Sequence, residues 1–164
     1  MTEDLVATLA EQVGEVSTDT KQIETAPVYI VLDDMTERTK AFHFVAAPDA
    51  FPMTSVGDSV VYEDEIFNAD KEVVGHTIGM ARVVRKRESD DHIFAEYDEV
   101  VQLQDGIMRA TGTFDRNALL AGACVRLKLE GLSGRYAGMS GFREWQVIPP
   151  LTDAFVRLRM VLAG

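Results

Sequence analysis

The chain has 164 residues, of which 46% are hydrophobic and 26% charged, the proportions of a globular domain that buries its core without disulfides. Its 27 acidic and 16 basic residues give a net charge of −11, which argues against binding to nucleic acids or to anionic membranes. The single cysteine, Cys124, excludes an intrachain disulfide and a cysteine-based zinc site, and no apolar stretch is long enough to span a membrane.

Residues 1–25 differ in pattern from the rest of the chain. Apolar residues recur there at helical spacing: Leu5, Leu9, Val13 and Val16. We therefore predict a short N-terminal helix, followed by a polar linker over residues 17–25. This segment is either a frayed tail or, for residues 3–16, a lid over an opening of the main domain. No basic stretch leads into a long apolar run, so we expect no secretory signal and a cytoplasmic location.

From residue 26 to residue 164 the apolar residues alternate with polar ones, as in β-strands. Strands are predicted over 28–32, 58–67, 74–86, 91–103, 107–115, 122–129, 142–148 and 154–162, with a further strand around 40–46. Asp105-Gly106 indicates a hairpin turn, because this pair readily takes positive φ. No segment of this domain shows a convincing helical pattern. About eight strands with short turns favour an antiparallel barrel or sandwich, and closure into a barrel removes exposed strand edges.

Parity along the strands predicts which side chains point inward. In 91–103 the odd-numbered residues are the more apolar, and they include Tyr97. In 58–67 the even-numbered residues include Tyr62 and Asp64. In 142–148 parity does not decide between the two faces.

The odd face of 142–148 carries Arg143 and Trp145. If it points inward, these two residues join Tyr62 and Tyr97 in an apolar interior with a few polar groups, which is typical of a small-molecule site. The alternative is that the aromatic residues are ordinary core and that Arg143 pairs with a carboxylate such as Glu99 in the barrel wall.

Common catalytic motifs are missing from the sequence. The glycine-dense stretch 131–141 lacks the G-K-S/T ending of a phosphate loop, so its glycines favour tight corners and close backbone approach. Cys124 has no neighbouring histidine and is predicted to be structural. Glu63, Asp64 and Glu65 are predicted to form a solvated acidic face, and the three histidines have no metal-ligand spacing. The residues alone thus indicate a β-barrel and leave two alternatives for its lumen, a ligand site or an ordinary packed core.

Residues 131–145, GLSGRYAGMSGFREW, resemble a motif of the spirotetronate cyclases, the small bacterial Diels–Alderases of abyssomicin type. Supporting pieces follow in the family's order, among them Asp64-Glu65, Tyr97 before the Asp105-Gly106 turn, and a closing strand over 157–164. More distantly, the chain resembles allene oxide cyclases and dirigent proteins. The resemblance implies an all-β fold, an eight-stranded antiparallel β-barrel over residues 26–164, with the active site in the lumen of a homodimer.

The same resemblance implies an intramolecular [4+2] cycloaddition on a linear polyene tetronate or tetramate polyketide, which forms a spiro-linked cyclohexene in antibiotic biosynthesis. A cycloaddition needs no nucleophile, metal or cofactor, since holding the chain in a near-attack conformer supplies much of the catalysis. No cofactor is therefore expected. The alternatives are a related barrel cyclase that closes another ring of a polyether tetronate, a lipocalin-like barrel that binds a hydrophobic ligand without catalysis, and a dirigent-type protein.

By resemblance, Tyr97 is the hydrogen-bond donor to the ring carbonyl, Trp145 packs on the substrate, and Arg143 orients the acidic ring. Tyr62 matches an aromatic residue at the pocket mouth. The other predicted substrate-binding residues are Leu127, Val147, Phe114 and Met108. Leu127 and Val147 align with bulkier lumen residues of the family, which suggests a different or roomier pocket.

Overall fold

The computed structural model describes residues 26–46, 53–148 and 155–164. Within them, eight strands close into an antiparallel barrel in chain order, and β8 pairs with β1. The strands are β1 (Tyr29–Ala46), β2 (Ser59–Phe67), β3 (Val73–Lys86), β4 (Ile93–Leu103), β5 (Gly106–Asp115), β6 (Val125–Gly131), β7 (Ser140–Val147) and β8 (Phe155–Ala163). The predicted eight-stranded antiparallel β-barrel is confirmed. The predicted N-terminal helix, linker and lid lie outside the described residues.

Two short helical segments connect strands: α1 (Arg116–Leu120) follows β5, and a 3-10 turn (Gly134–Tyr136) follows β6. The prediction that this domain has no helix was therefore wrong. The Asp115 carboxylate caps α1 by accepting a hydrogen bond from the Ala118 amide at 3.1 Å. A helix of five residues is too short to leave a periodic pattern in the sequence. No helix in the described ranges has the length and apolar character needed to cross a bilayer.

The first strand is longer than predicted, because 28–32 and 40–46 belong to one strand of 18 residues. Its register against β8 shifts between Leu32 and Met35, where Asp34 has a φ of 55°. A β-bulge of this kind inserts a residue and reverses the parity of everything beyond it. Glu37 consequently points into the barrel and is fully buried.

The inward faces predicted for β2 and β4 are confirmed. Buried residues alternate along β4 from Ile93 through Tyr97 to Val101, and along β7 they include Arg143 and Trp145. The even-numbered residues of β2 and β8 likewise face inward. Parity did not decide between the faces of β7, where the structure selects the odd one.

The barrel has two distinct ends. At the helix end lie the β3–β4 and β5–β6 connections, the latter with α1. At the hairpin end lie the tight Gln104-Asp105 turn and the connection that contains the 3-10 turn. Gly106 closes the tight turn with a φ of 156°, as the sequence predicted.

The glycines of the 131–141 stretch allow backbone segments to approach closely. A Cβ atom on Gly131 would lie 1.6 Å from the Tyr136 carbonyl oxygen, and one on Gly141 would lie 1.8 Å from that of Val161. Gly141 thus permits β7 to pair with β8 at this point of the closed barrel. The structural role predicted for these glycines is confirmed.

We expect Gly141→Ala to destabilise the barrel by about 2–4 kcal/mol, because the obstructing atom belongs to the backbone of β8 and cannot rotate away. Urea unfolding followed by circular dichroism measures this change. Ser140→Ala, on the exposed neighbouring residue, is the matched control. Equal midpoints for the two variants would contradict the close approach.

Candidate active site

A cavity of about 170 Å³ lies inside the barrel at the helix end. Tyr62, Tyr97 and Trp145 line it, so three of the four residues predicted from parity meet at one site. Arg116 and Leu119 of α1 contribute to the same wall. These two residues were missed because the helix itself was not predicted.

The aromatic residues form a rigid wall. The Tyr97 ring stacks on Phe114 with centroids 4.4 Å apart, and the Trp145 ring meets both edge-on at 5.5 and 6.0 Å. Such arrangements are favoured by the ring quadrupoles. Trp145 is only 6% exposed, and its Nε1–H has no hydrogen-bond partner among the described residues. A ligand in the cavity can therefore supply the missing acceptor.

Tyr97 is a neutral phenol at any ordinary working pH. Burial raises its pKa to about 12, although the positive charge of Arg116 opposes this shift. Its O–H is therefore available as a hydrogen-bond donor. Tyr62 also stays protonated, because burial and the nearby Glu99 carboxylate raise its pKa well above the ordinary value.

A buried charge cluster lies next to this wall. It consists of Arg143, Glu37, Glu99 and Asp64, which are all buried. The Arg143 guanidinium donates through Nη1 to Glu99 and through Nη2 to Glu37, whose Oε2 is 2.5 Å away. The alternative that Arg143 pairs with Glu99 is confirmed, and Glu37 is an additional partner. Parity missed Glu37 because of the bulge in β1.

Two hydroxyl groups donate further hydrogen bonds to this cluster, in which Arg143 Nε and Asp64 Oδ1 have no partner among the described residues. Tyr62 donates to Glu99, and Thr77 donates to Glu37 at 2.5 Å. The guanidinium carbon of Arg143 also lies 4.9 Å from the Trp145 ring centroid, within the range of a cation–π contact. The charge cluster thus holds both Tyr62 and Trp145 in place.

Asp64 differs from the other carboxyl groups of the cluster because it lines the cavity without an ion pair to Arg143. It is 6% exposed, so the predicted solvated acidic face was wrong at this position. Burial, reinforced by the charge of Glu37, raises its pKa to about 7. The neighbouring Glu63 and Glu65 do face outward, where they pair with Lys40 at 3.2 and 3.8 Å. The alternation of the strand separates them from Asp64.

Gly79 was not identified from the sequence, although it shapes the site. It lies opposite Tyr62 across the β2–β3 pair, and a Cβ atom there would lie 2.5 Å from the tyrosine ring. The missing side chain lets the Tyr62 ring lie flat over β3 and reach Glu99. Gly79 could have been identified as a glycine within a predicted strand, where a missing side chain often marks the close approach of another group.

The remaining predicted binding residues are buried but are not in the described wall of the cavity. Phe114 lies behind Tyr97, and Leu127 pairs with Arg143 across β6 and β7. Val147 pairs with Val156, which does line the cavity. Met108 pairs with Gly131 at the hairpin end. Phe114, Leu127 and Val147 thus adjoin residues of the site, whereas Met108 lies at the end of the barrel away from the cavity.

Neither the cysteine nor a metal-binding group forms part of the described cavity. Cys124 is exposed on the outside of the barrel. Across the described residues, no group of three or more histidine, cysteine or acidic side chains is arranged to hold a metal ion.

Comparisons with known proteins place these features in context. A family model for the allene oxide cyclase barrel like domain matches residues 38–162. AbnU, described as an exo-specific intermolecular Diels–Alderase, is 31% identical over 85% of this chain and 100% of its own, with a TM-score of 0.73.

Two further solved structures are similar. A nonspecific heme-binding cyclase that catalyses [4+2] cycloaddition during neoabyssomicin biosynthesis is 27% identical over 86% of this chain, with a TM-score of 0.72. The Diels–Alderase AbmU from Streptomyces koyangensis is 28% identical over 82% of this chain, with a TM-score of 0.70. The matches span 66% and 63% of those two chains.

We expect Arg143→Met to destabilise the protein by about 3–5 kcal/mol, because it leaves two buried carboxylates without their cation. Arg126→Met is the matched control, since Arg126 pairs with Glu144 on the exposed face of the adjacent strand. Urea unfolding of both variants measures the difference, and the control is expected to change little. Similar losses in the two variants would contradict a special role for the buried pair.

The pH dependence of stability is expected to identify Asp64. The folded protein keeps the Asp64 proton up to a pKa of about 7, whereas the unfolded chain releases it near pH 4. The stabilising contribution is therefore complete below about pH 4 and is lost as the pH rises to about 7. Asp64→Asn removes this part of the slope and leaves the part that comes from Glu99, whose pKa burial raises to about 8. Glu65→Gln on the outer face retains both parts. Parallel stability–pH curves for Asp64→Asn and the unsubstituted protein would refute the assignment.

Proposed function

The chain belongs to the allene oxide cyclase barrel-like family and, within it, to the Diels–Alderases of abyssomicin type, and from this premise we propose that it catalyses an intramolecular [4+2] cycloaddition of a linear polyene tetronate or tetramate polyketide. As a member of this group it is a [4+2] cyclase, and the proposal concerns its substrate and mode of reaction. The observation that carries the proposal is the cavity in the barrel, which Tyr97 and Trp145 line with their rings edge to face.

The cavity favours the reaction mainly by restricting the substrate. A linear polyene chain has many conformations, and few of them bring the diene onto the alkene. The Tyr97 and Trp145 rings, with Phe114 stacked behind Tyr97, offer an apolar surface against which the compact, folded chain packs. Well-oriented intramolecular reactions gain up to about 7–11 kcal/mol from this kind of positioning. Complementarity to the folded transition state, rather than to the extended substrate, raises the rate.

The Tyr97 phenol supplies a second, electronic contribution. In this proposal its O–H donates to the carbonyl oxygen of the tetronate or tetramate ring. The hydrogen bond withdraws electron density from the conjugated alkene, so it strengthens as the transition state forms. The high pKa of Tyr97 keeps the proton on the phenol throughout. No proton transfer is required.

We assign Arg143 a positioning role in this reaction. Both of its Nη atoms are engaged by carboxylates inside the wall, and it is not among the cavity-lining residues. It supports the Trp145 ring directly and Tyr62 through Glu99. The orienting effect expected from the sequence resemblance would then act through these two aromatic residues.

An intermolecular cycloaddition is the second candidate reaction. The likeness to AbnU, which is described as intermolecular, favours it. The two modes use the same wall and the same hydrogen bond. They differ in product mass, which equals that of one substrate in the intramolecular mode and the sum of two in the intermolecular mode.

The remaining expectations stay predictions. A cycloaddition moves no electrons to or from the protein, so we propose that the reaction uses no cofactor, while heme binding is a property described for one relative. A homodimer is supported by exposed apolar residues on the outer face of β3 and β4, where Ile78 pairs with Val100 beside Met80. A cytoplasmic location is also retained as a prediction.

We expect the purified protein to accelerate the loss of diene absorbance from a linear diene–exomethylene tetronate and to give one isomeric product. Tyr97→Phe and Trp145→Ala are each expected to lower kcat/KM by tenfold or more, because one removes the donor and the other the packing surface. Tyr29→Phe, at an exposed tyrosine, is the matched control and should match the unsubstituted protein. Near- and far-ultraviolet circular dichroism checks that the variants are folded.

Product mass separates the two reaction modes. A carrier barrel would instead bind the substrate, quench the fluorescence of Trp145, which is the single tryptophan, and leave the rate at its uncatalysed value. That result would overturn the cyclase proposal. Unchanged rates in both cavity variants would overturn the placement of the site.

A further inference from the structure

We propose that Asp64 is a further catalytic residue, a neutral carboxylic acid that donates a hydrogen bond to a carbonyl oxygen of the substrate ring. This inference rests on the proposed cycloaddition and adds a second donor to the same cavity. The resemblance matches Asp64-Glu65 by position only, and the predicted site residues do not include Asp64.

The position of Asp64 allows this contact. It lies on β2 between Thr39 of β1 and Thr77 of β3, and its side chain lines the cavity. It is 94% buried, since only 6% of its surface is exposed. Its Oδ1 atom has no hydrogen-bond partner within the described part of the chain. A buried carboxyl oxygen in this state is stabilised by any ligand group that pairs with it.

The surrounding charges decide which form of Asp64 is present. The charge cluster contains three carboxyl groups, Glu37, Glu99 and Asp64, and one guanidinium. The single guanidinium of Arg143 faces both Glu37 and Glu99 and balances at most one negative charge, so a charged Asp64 would be an excess anion in a buried site. A proton on Asp64 removes that charge.

The other groups that face Asp64 do not reverse this conclusion. Thr39 on β1 forms a hydrogen bond that favours the charged form, and Arg143 on β7 acts in the same direction. Burial and the charge of Glu37 outweigh them and raise the pKa to about 7, with a small addition from Glu63 on the outer face. Burial also raises the pKa of Glu99, to about 8. The cluster therefore takes up protons as the pH falls through neutrality.

The chemistry of the proposed ring matches a neutral acid at this point. Acyl tetronates and tetramates are acidic β-dicarbonyl compounds, so the ring is an anion with two or more acceptor oxygens. A charged Asp64 would repel this anion in a low-dielectric cavity, whereas the protonated form attracts it through a short O–H···O⁻ hydrogen bond. With Tyr97, the site then offers O–H donors to two oxygens of one ring. The Asp64 proton stays on its carboxyl group, so the reaction remains a pure cycloaddition.

The test compares pH–rate profiles of three proteins. In the unsubstituted protein, kcat/KM for the diene–exomethylene tetronate should fall as the pH rises through about 7, the pKa of Asp64. Asp64→Asn keeps an N–H donor but has no titrating group at this position. Its kcat/KM at pH 6 should be less than about tenfold below that of the unsubstituted protein and should not decline as the pH rises through 7. Asp64→Leu removes the donor, and about a hundredfold loss is expected. Glu65→Gln, on the outer face of the same strand, should keep the profile of the unsubstituted protein.

A second measurement does not depend on turnover. Infrared difference spectra between the unsubstituted protein and Asp64→Asn should show a protonated carboxyl band at pH 6 that disappears at pH 8. Addition of 3-acetyltetronic acid, a ring fragment without a diene, should shift that band and quench Trp145 more strongly at pH 6 than at pH 8. In Asp64→Asn the quenching should depend less on pH.

The outcomes separate the two proposals. If the protein fails to accelerate the cycloaddition but the fragment shifts the Asp64 band, the proposed reaction fails and the carbonyl-binding acid stands. If the cycloaddition proceeds and Asp64→Asn declines with pH as the unsubstituted protein does, the inference about Asp64 is overturned. The absence of a protonated carboxyl band at pH 6 overturns it as well.

Discussion

The ion pairs of Arg143 with Glu37 and Glu99 are the interaction on which the rest of the site depends. They link β7 to β1 and β4 across the interior, where no side chain of the three retains solvent exposure. Burying such charges is costly, and additional hydrogen bonds to the paired groups offset part of that cost. Tyr62 and Thr77 supply the additional bonds that the two carboxylates need.

This constraint arranges the site in two layers. On β4, Tyr97 lies one inward position closer to the helix end than Glu99, and on β7, Trp145 lies one inward position closer than Arg143. Inward residues of neighbouring strands stack in layers in a small barrel. An aromatic layer therefore rests on a charged layer. The charged layer fixes the aromatic rings, and the aromatic layer keeps water away from the charges.

Most of the barrel and half of the site could be predicted from alternation, but irregular backbone hid the rest. Tyr97 and Tyr62 lie on regular strands, so parity placed them correctly inside. Glu37 lies beyond a bulge, where an extra residue reverses the parity of the strand. The sequence around Asp33-Asp34 contains no pattern that predicts this bulge. Asp64 was assigned to the surface because two outward-facing glutamates flank it, although its even number already placed it inside. For Asp64, the acidic neighbours gave the wrong prediction of exposure, whereas its position in the alternating strand gave the right one.

The site also explains why motif searches find no catalytic residues here. Cycloaddition needs a shaped, dry surface and hydrogen-bond donors that meet a carbonyl as it gains charge. Besides the Tyr97 phenol, two polar atoms of cavity-lining residues have no partner in the described structure: Trp145 Nε1, which is a donor, and Asp64 Oδ1, which donates when the carboxyl group is protonated. Each such buried group carries a penalty of about 1–3 kcal/mol. A ligand that presents a ring with several acceptor oxygens relieves both penalties, whereas a purely hydrocarbon ligand relieves neither. The unsatisfied atoms therefore select for a polar ring at the wall and leave the apolar remainder of the cavity to the polyene.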